Sequence, residues 1–190
     1  SIMFLSACNN KTMDNNTIGT QEGNFCDPKE SLSDCETWNQ NLDFKITTTA
    51  FQSWWSIPIR YSCMWKNVNP ELEISWVPKW TQSFTLIIHD PDAPKWDWIH
   101  WFLLNIPANI KKINEWENPI WAKVNKNSRW KSEYRWPCPP SWTHRYYFKL
   151  YALDTNYWDL PAQMTLEEFE KNTSTHILWS TEIMWTYSAK

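Results

Sequence analysis

"RWPCPPSWTHRYYFKLYALD", residues 135–154, runs from a proline-rich turn into an unbroken strand signal, and the join decides the fold. Successive side chains of a strand point to opposite faces, so His144, Tyr146, Phe148 and Leu150 share one face. Polar groups at the start of the strand and apolar ones further along describe a wet mouth over a dry floor. Arg145 alternates with His144 and is expected to leave that face. The turn before the strand poses a question, because Trp136 and Trp142 stand among Pro, Ser, Thr and Cys where glycine is the usual occupant.

Outward from this stretch, β-branched and aromatic runs at 44–51 (FKITTTAF), 72–75, 83–89 (SFTLIIH) and 99–106 (IHWFLLNI) join 144–153 as strand signals. Clusters of Pro, Asn, Lys and Ser separate them. Alternation along 99–106 puts His100 with Phe102 and Leu104, and Ile99, Trp101 and Leu103 on the opposite face. A helix is expected over 165–171 (TLEEFEK), where Thr165 and Glu168 have the spacing of a capping box. A second short helix near Thr175 and a last strand over 182–187 complete the reading. The fold class is therefore mostly antiparallel β, with one or two short C-terminal helices.

A chain of 190 residues holds one ordinary domain and a tail. Residues 42–190 are expected to form that domain. Residues 9–41 are rich in Asn, Thr, Ser, Asp and Glu and read as a flexible tether, because they hold too few apolar groups to offset the entropy of ordering. The opening segment, residues 1–8 (SIMFLSAC), is apolar and ends in Leu5-Ser6-Ala7-Cys8, a pattern that resembles a truncated bacterial lipoprotein signal. Cys8 is then expected to carry lipid, placing the domain outside the cytoplasm on a membrane face. The remaining cysteines, Cys26, Cys35, Cys63 and Cys138, are even in number, and the pairing favoured is Cys26 with Cys35 and Cys63 with Cys138. Connectivity is not fixed by sequence, and four separate thiols are the alternative. The net charge of −3 and the scattering of 18 Lys and Arg leave no basic stripe for nucleic acid. No apolar run reaches the roughly 18 residues needed to cross a bilayer.

Composition is anomalous in one respect. Trp accounts for 17 residues and Gly for 2, and both glycines, Gly19 and Gly23, lie in the tether. A β domain with this many turns needs residues that tolerate positive φ, and any side chain with a Cβ resists it. Trp54, Trp65, Trp80, Trp96, Trp116, Trp121, Trp130, Trp136, Trp142 and Trp158 adjoin polar or turn residues rather than apolar periodicity. They read as glycine sites, as if one codon had been translated as Trp where the source cell reads Gly. Trp98 and Trp101, inside an apolar strand, read as genuine tryptophans.

With glycine at those sites, three segments resemble the phosphatidylethanolamine-binding protein family, in its bacterial Raf-kinase-inhibitor-like branch. They are 61–88 (YSCMWKNVNPELEISWVPKWTQSFTLII), 89–110 (HDPDAPKWDWIHWFLLNIPANI) and 135–154. The Asp-Pro-Asp-x-Pro turn, the His-Trp before Asn-Ile-Pro and the Pro-Pro before His-Arg-Tyr are specific in combination. The resemblance implies two antiparallel sheets with a small anion pocket lined by Asp90, Pro94, His100, Pro139, His144 and Tyr146. It also implies binding of a phospholipid headgroup and, in some relatives, inhibition of kinases or serine proteases.

The chemistry of those residues suits an anion. Each imidazole is expected to donate an N–H to a phosphate oxygen, the Tyr146 hydroxyl adds a donor, and Asp90 holds one histidine in its donor tautomer. Asp92 is expected to cap the loop backbone or pair with Arg145 rather than touch ligand. The leading expectation is a binding module for a phosphate-bearing small molecule or headgroup, without catalysis or cofactor. One alternative is a protease inhibitor acting through surface loops. Another is a metal-dependent hydrolase built on Asp90, His100 and His144, opposed by the lack of HxH spacing and of a nucleophile motif.

Overall fold

The computed structural model describes residues 44–52 and 56–189. Cys8 with its expected lipid, the expected tether over 9–41, the expected Cys26–Cys35 pairing and Trp54 lie outside the described residues.

The described strands form two antiparallel sheets. β1 (Lys45–Thr47), β2 (Leu72–Ser75) and β5 (Lys112–Ile113) make the smaller, in the order β1-β2-β5. The larger comprises β3 (Ser83–Asp90), β4 (Trp98–Pro107), β6 (Lys123–Val124), β7 (Thr143–Leu153) and β8 (Ile177–Ser188), in the order β6-β4-β3-β7-β8. β3 is central and every one of its residues is buried, which explains its continuous apolar run. One face of the larger sheet supplies Leu86, Ile88, Trp101, Tyr146, Phe148 and Leu150 to a core shared with Ile46, Leu72 and Ile74 of the smaller sheet. The other face supplies Ile87, Ile99, Phe102, Leu104 and Tyr151 to a second core under the helix α1 (Leu166–Thr173).

The helix begins as its sequence indicates. Thr165 Oγ1 accepts from the Glu168 N–H at 3.1 Å, and Glu168 Oε2 accepts from the Thr165 N–H at 2.7 Å. Its anchor is Phe169, fully buried edge-on to Phe102 and Tyr151, a burial that contributes about 1.5–3 kcal/mol. In place of a second α-helix near Thr175, a single 3-10 turn spans Ser174–His176. β8 starts at Ile177, well before the expected 182. It is an edge strand with half-exposed residues along most of its length, so the apolar run that announces a strand is missing there. β1 is shorter than the expected 44–51, and β5 and β6, at two residues each, are too short to show a period.

One expectation about β4 is corrected. The register between β3 and β4 slips after Ile88, which pairs with Trp101, whereas His89 pairs with Ile99. His100 is the extra residue, a β-bulge that breaks the alternation. Ile99 therefore joins Phe102 in the helix-side core, while His100 turns to the face of Tyr146, with ring centroids 5.3 Å apart. Strict alternation would have put His100 under the helix.

Backbone torsions bear on the tryptophans. Among the described residues, the non-glycine positions with positive φ are Trp76, Trp80, Trp116, Trp121, Trp130, Trp142 and Asn105, with φ from 54° to 70°. Asn105 is a tolerant residue whose side chain accepts from the Tyr157 N–H and donates to its carbonyl. Trp101, by contrast, is 1% exposed and packs edge-on to Tyr134.

Candidate anion-binding site

The site lies where the C-terminal end of β3, the bulge of β4 and the start of β7 meet. β3 ends in Asp90, β7 brings His144 and Tyr146 two apart on its inner face, and the bulge brings His100. Asp90, His100, His144 and Tyr146 are all buried.

Asp90 is committed on both oxygens. Oδ1 accepts from the Asp92 N–H at 2.9 Å and closes the Asp-Pro-Asp turn, while Oδ2 meets His144 Nδ1 at 2.7 Å. Burial pushes the Asp90 carboxyl above the usual carboxylate range, against the pull of His144. His100 is fixed from the other side: its Nδ1 lies 2.9 Å from the Arg135 carbonyl oxygen and donates to it. Burial brings its pKa down to about 4, so at neutral pH the ring is uncharged and Nε2 is a bare lone pair. That corrects the expectation that both imidazoles donate: His100 accepts. Tyr146 has a buried hydroxyl near Asp90 that makes no hydrogen bond among the described residues, and its ionisation is pushed up by burial.

The segment opposite His100 is held by groups that sequence reasoning did not single out. Asn67 donates from Nδ2 to the Tyr134 carbonyl at 2.6 Å and accepts on Oδ1 from the Trp136 N–H at 3.2 Å. The Arg135 N–H donates to the His100 carbonyl at 2.9 Å, so His100 and Arg135 are tied by main chain as well as ring. A disulfide joins Cys63 to Cys138 with Cα atoms 5.4 Å apart, as expected, and the Cys63 N–H donates to the Pro137 carbonyl. Pro139 is buried in the loop this bridge anchors, whereas Pro94 is exposed in the turn after Asp90. Tyr187 pairs with His144 across the β7–β8 ladder and donates its hydroxyl to Ser62 Oγ at 2.7 Å. The Trp136 indole packs against the core with its Nε1 buried and unpartnered, under the Arg135 guanidinium at 3.9 Å.

Asp92 plays the structural part expected of it. Its carboxylate receives Arg145 through Nη2 at 2.7 Å and Nε at 2.9 Å, and this contact brings its pKa down to about 2. Arg145 leaves the site face, as the alternation requires. Among the described residues, no group of three His, Cys, Asp or Glu side chains is arranged to hold a metal ion.

Comparison with known proteins agrees with this architecture. The sequence profile of the family described as phosphatidylethanolamine-binding protein matches residues 47–188. A UPF0098 protein of Methanothermobacter thermautotrophicus is 36% identical over 147 residues, covering 75% of this chain and 97% of that protein. One from Chlamydia trachomatis is 36% identical over 148 residues, with the same coverage. A crystal structure of a phosphatidylethanolamine-binding protein homologue from Chlamydia trachomatis superposes with a TM-score of 0.71 at 34% identity, covering 77% of this chain and 98% of that one. The crystal structure of E. coli YbcL, described as a member of the mammalian PEBP family, gives a TM-score of 0.71 at 25% identity, over 78% and 99%. With the profile spanning both sheets and the solved relatives sharing their arrangement, the chain belongs to the phosphatidylethanolamine-binding protein family.

Proposed function

We propose that the chain is a binding module that captures a small phosphate-bearing anion, such as a phosphomonoester or a phospholipid headgroup, and does no chemistry on it. The observation that supports this reading is the commitment of both Nδ1 atoms, on His100 to a carbonyl and on His144 to Asp90, which leaves both Nε2 atoms for a guest. A buried hydroxyl without a partner, on Tyr146, adds a donor beside them.

The protonation pattern narrows the ligand. His100 Nε2 accepts, so the guest brings a hydrogen to it, either a P–OH or the ammonium of an ethanolamine headgroup. His144 Nε2 donates only when the Asp90–His144 pair holds two protons between them, one at the Nδ1 contact and one on Nε2. That state is neutral overall, so it offers an anion a donor without a net negative charge beside it. Catalysis has little support, since Cys138 is bound in the disulfide and Asp90 and His144 are engaged with each other. The same disulfide supports an oxidising compartment, and with the Leu-Ser-Ala-Cys8 pattern it favours a lipid-anchored, extracytoplasmic domain.

Isothermal titration with inorganic phosphate and with sulfate at pH 6 and pH 8 tests this reading. Phosphate is expected to bind better than sulfate at pH 6, because only phosphate keeps an O–H at that pH. Because the dianion of inorganic phosphate retains one O–H, that preference is expected to persist at pH 8, whereas a phosphomonoester, whose second ionisation near pH 6 removes its last O–H, is expected to bind less well at pH 8 than at pH 6. Equal binding of sulfate would contradict the assigned role of His100, and unchanged phosphate binding by His144→Ala would place the ligand elsewhere.

A further inference from the structure

We propose that residues 76, 80, 116, 121, 130 and 142, written as tryptophan, are glycine in the protein the source cell makes, inserted at a single reassigned codon. All six have φ between 54° and 70°, the centre of the left-handed region. For an L-residue with an aromatic ring on Cβ that region is an outlier, whereas glycine enters it freely.

Local hydrogen bonding shows why the fold demands that torsion. The Thr81 N–H donates to the Pro78 carbonyl at 3.3 Å, and the Ala122 N–H to the Pro119 carbonyl at 3.1 Å. Residues 80 and 121 are thus the third positions of hydrogen-bonded β-turns, where positive φ selects glycine. Residue 130 sits in a loop closed by Asn127, whose N–H donates to the Lys131 carbonyl and whose Oδ1 accepts from the N–H groups of Arg129 and Lys131. Residue 76 directly follows β2, and residue 142 directly precedes β7, where it sets the entry of the strand that carries His144. Residue 116 lies in the turn after β5.

The side chains gain little in return. Their exposures run from 54% at Trp80 to 84% at Trp142, against 1% at Trp101, where φ is not positive. An aromatic binding face would account for exposure but not for torsion, because stacking on a ligand does not require left-handed backbone. Nor does the described domain contain a glycine for any of its turns, since none occurs after Gly23. Torsion therefore separates two classes of position written with the same letter. It adds residue 76 to the glycine sites read from sequence and gives no such support at Trp65, Trp96, Trp136 or Trp158.

Tandem mass spectrometry of peptides from the protein isolated from its source cells reads each position directly. The expected result is the residue mass of glycine at all six positions and of tryptophan at 101. The gene is expected to carry one shared codon at the six positions and a different one at 101. Tryptophan mass at any of the six, or the codon of position 101 at any of them, would overturn the proposal.

Discussion

Replacing Trp121 and Trp142 together by glycine is expected to stabilise the domain, although it removes two large side chains. Left-handed torsion costs a residue with a Cβ roughly 1–2 kcal/mol. Glycine returns part of this, about 0.5–1 kcal/mol, through its greater loss of backbone freedom on folding. The net gain is about 0.5–1 kcal/mol per site, or about 1–2 kcal/mol for the two sites in so far as separate turns are additive. Residues 121 and 142 are 81% and 84% exposed, the most of the six, so little packing is lost there. For a domain of this size the gain corresponds to a rise in Tm of roughly 2–8 °C. Urea unfolding of the two recombinant proteins, followed by circular dichroism, measures it. As an internal control of opposite sign, Trp101→Ala is expected to destabilise by about 3–5 kcal/mol, because that indole is buried against Tyr134. A midpoint for the two-glycine protein equal to or below that of the tryptophan form would refute the torsional reasoning.

Two further perturbations probe the scaffold. His100 is held neutral by burial, with a folded pKa of about 4 against 6.5 for the free ring, so the unfolded state takes up a proton first as pH falls. Its contribution to stability is full above about pH 6.5 and is lost as pH drops towards 4; His100→Gln, which can still donate to the Arg135 carbonyl, is expected to flatten that part of the stability profile, and an unchanged slope would count against a buried neutral ring. Reduction of the Cys63–Cys138 bridge, or Cys63→Ser, is expected to cost about 4.5 kcal/mol, since it closes a separation of 75 residues; a loss below about 1 kcal/mol would mean that Asn67 and the Cys63 backbone hold the Pro139 loop unaided.

Much of this was legible in the chain because burial in a sheet writes itself as period two or as an apolar run. β7 shows it in the alternation of His144, Tyr146, Phe148 and Leu150, and β3 in Phe84 and the run Leu86 to Ile88. The capping box at Thr165 was readable for a similar reason, as a local geometric rule expressed at fixed spacing, whereas the Asp92–Arg145 pair, 53 residues apart, was readable through the alternation that turns Arg145 off the site face. β8 was read short because an edge strand with half-exposed residues has no contrast between its faces. The orientation of His100 was misread because a bulge shifts register by one without any glycine or proline to mark it. Its hydrogen-bonding role was also hidden, since the partner is a carbonyl 35 residues away, at Arg135, and main-chain acceptors have no letter. Asn67 escaped notice on the same ground: its partners are the backbone of Tyr134 and Trp136.

The chain's four histidines make the decisive measurement possible, since His89 and His176 lie outside the proposed site and pair with Asp97 and Asp154. Side-chain 15N NMR of the imidazoles would be followed while inorganic phosphate is added at pH 6, on protein carrying whichever residue the source cell inserts at the six positions. Saturable shifts are expected at the Nε2 of His100 and His144, with their Nδ1 atoms still bonded to Arg135 and Asp90, while His89 and His176 stay unmoved. Movement of the exposed His176 alone, or of no histidine at all, would contradict an anion site at Asp90, His100, His144 and Tyr146.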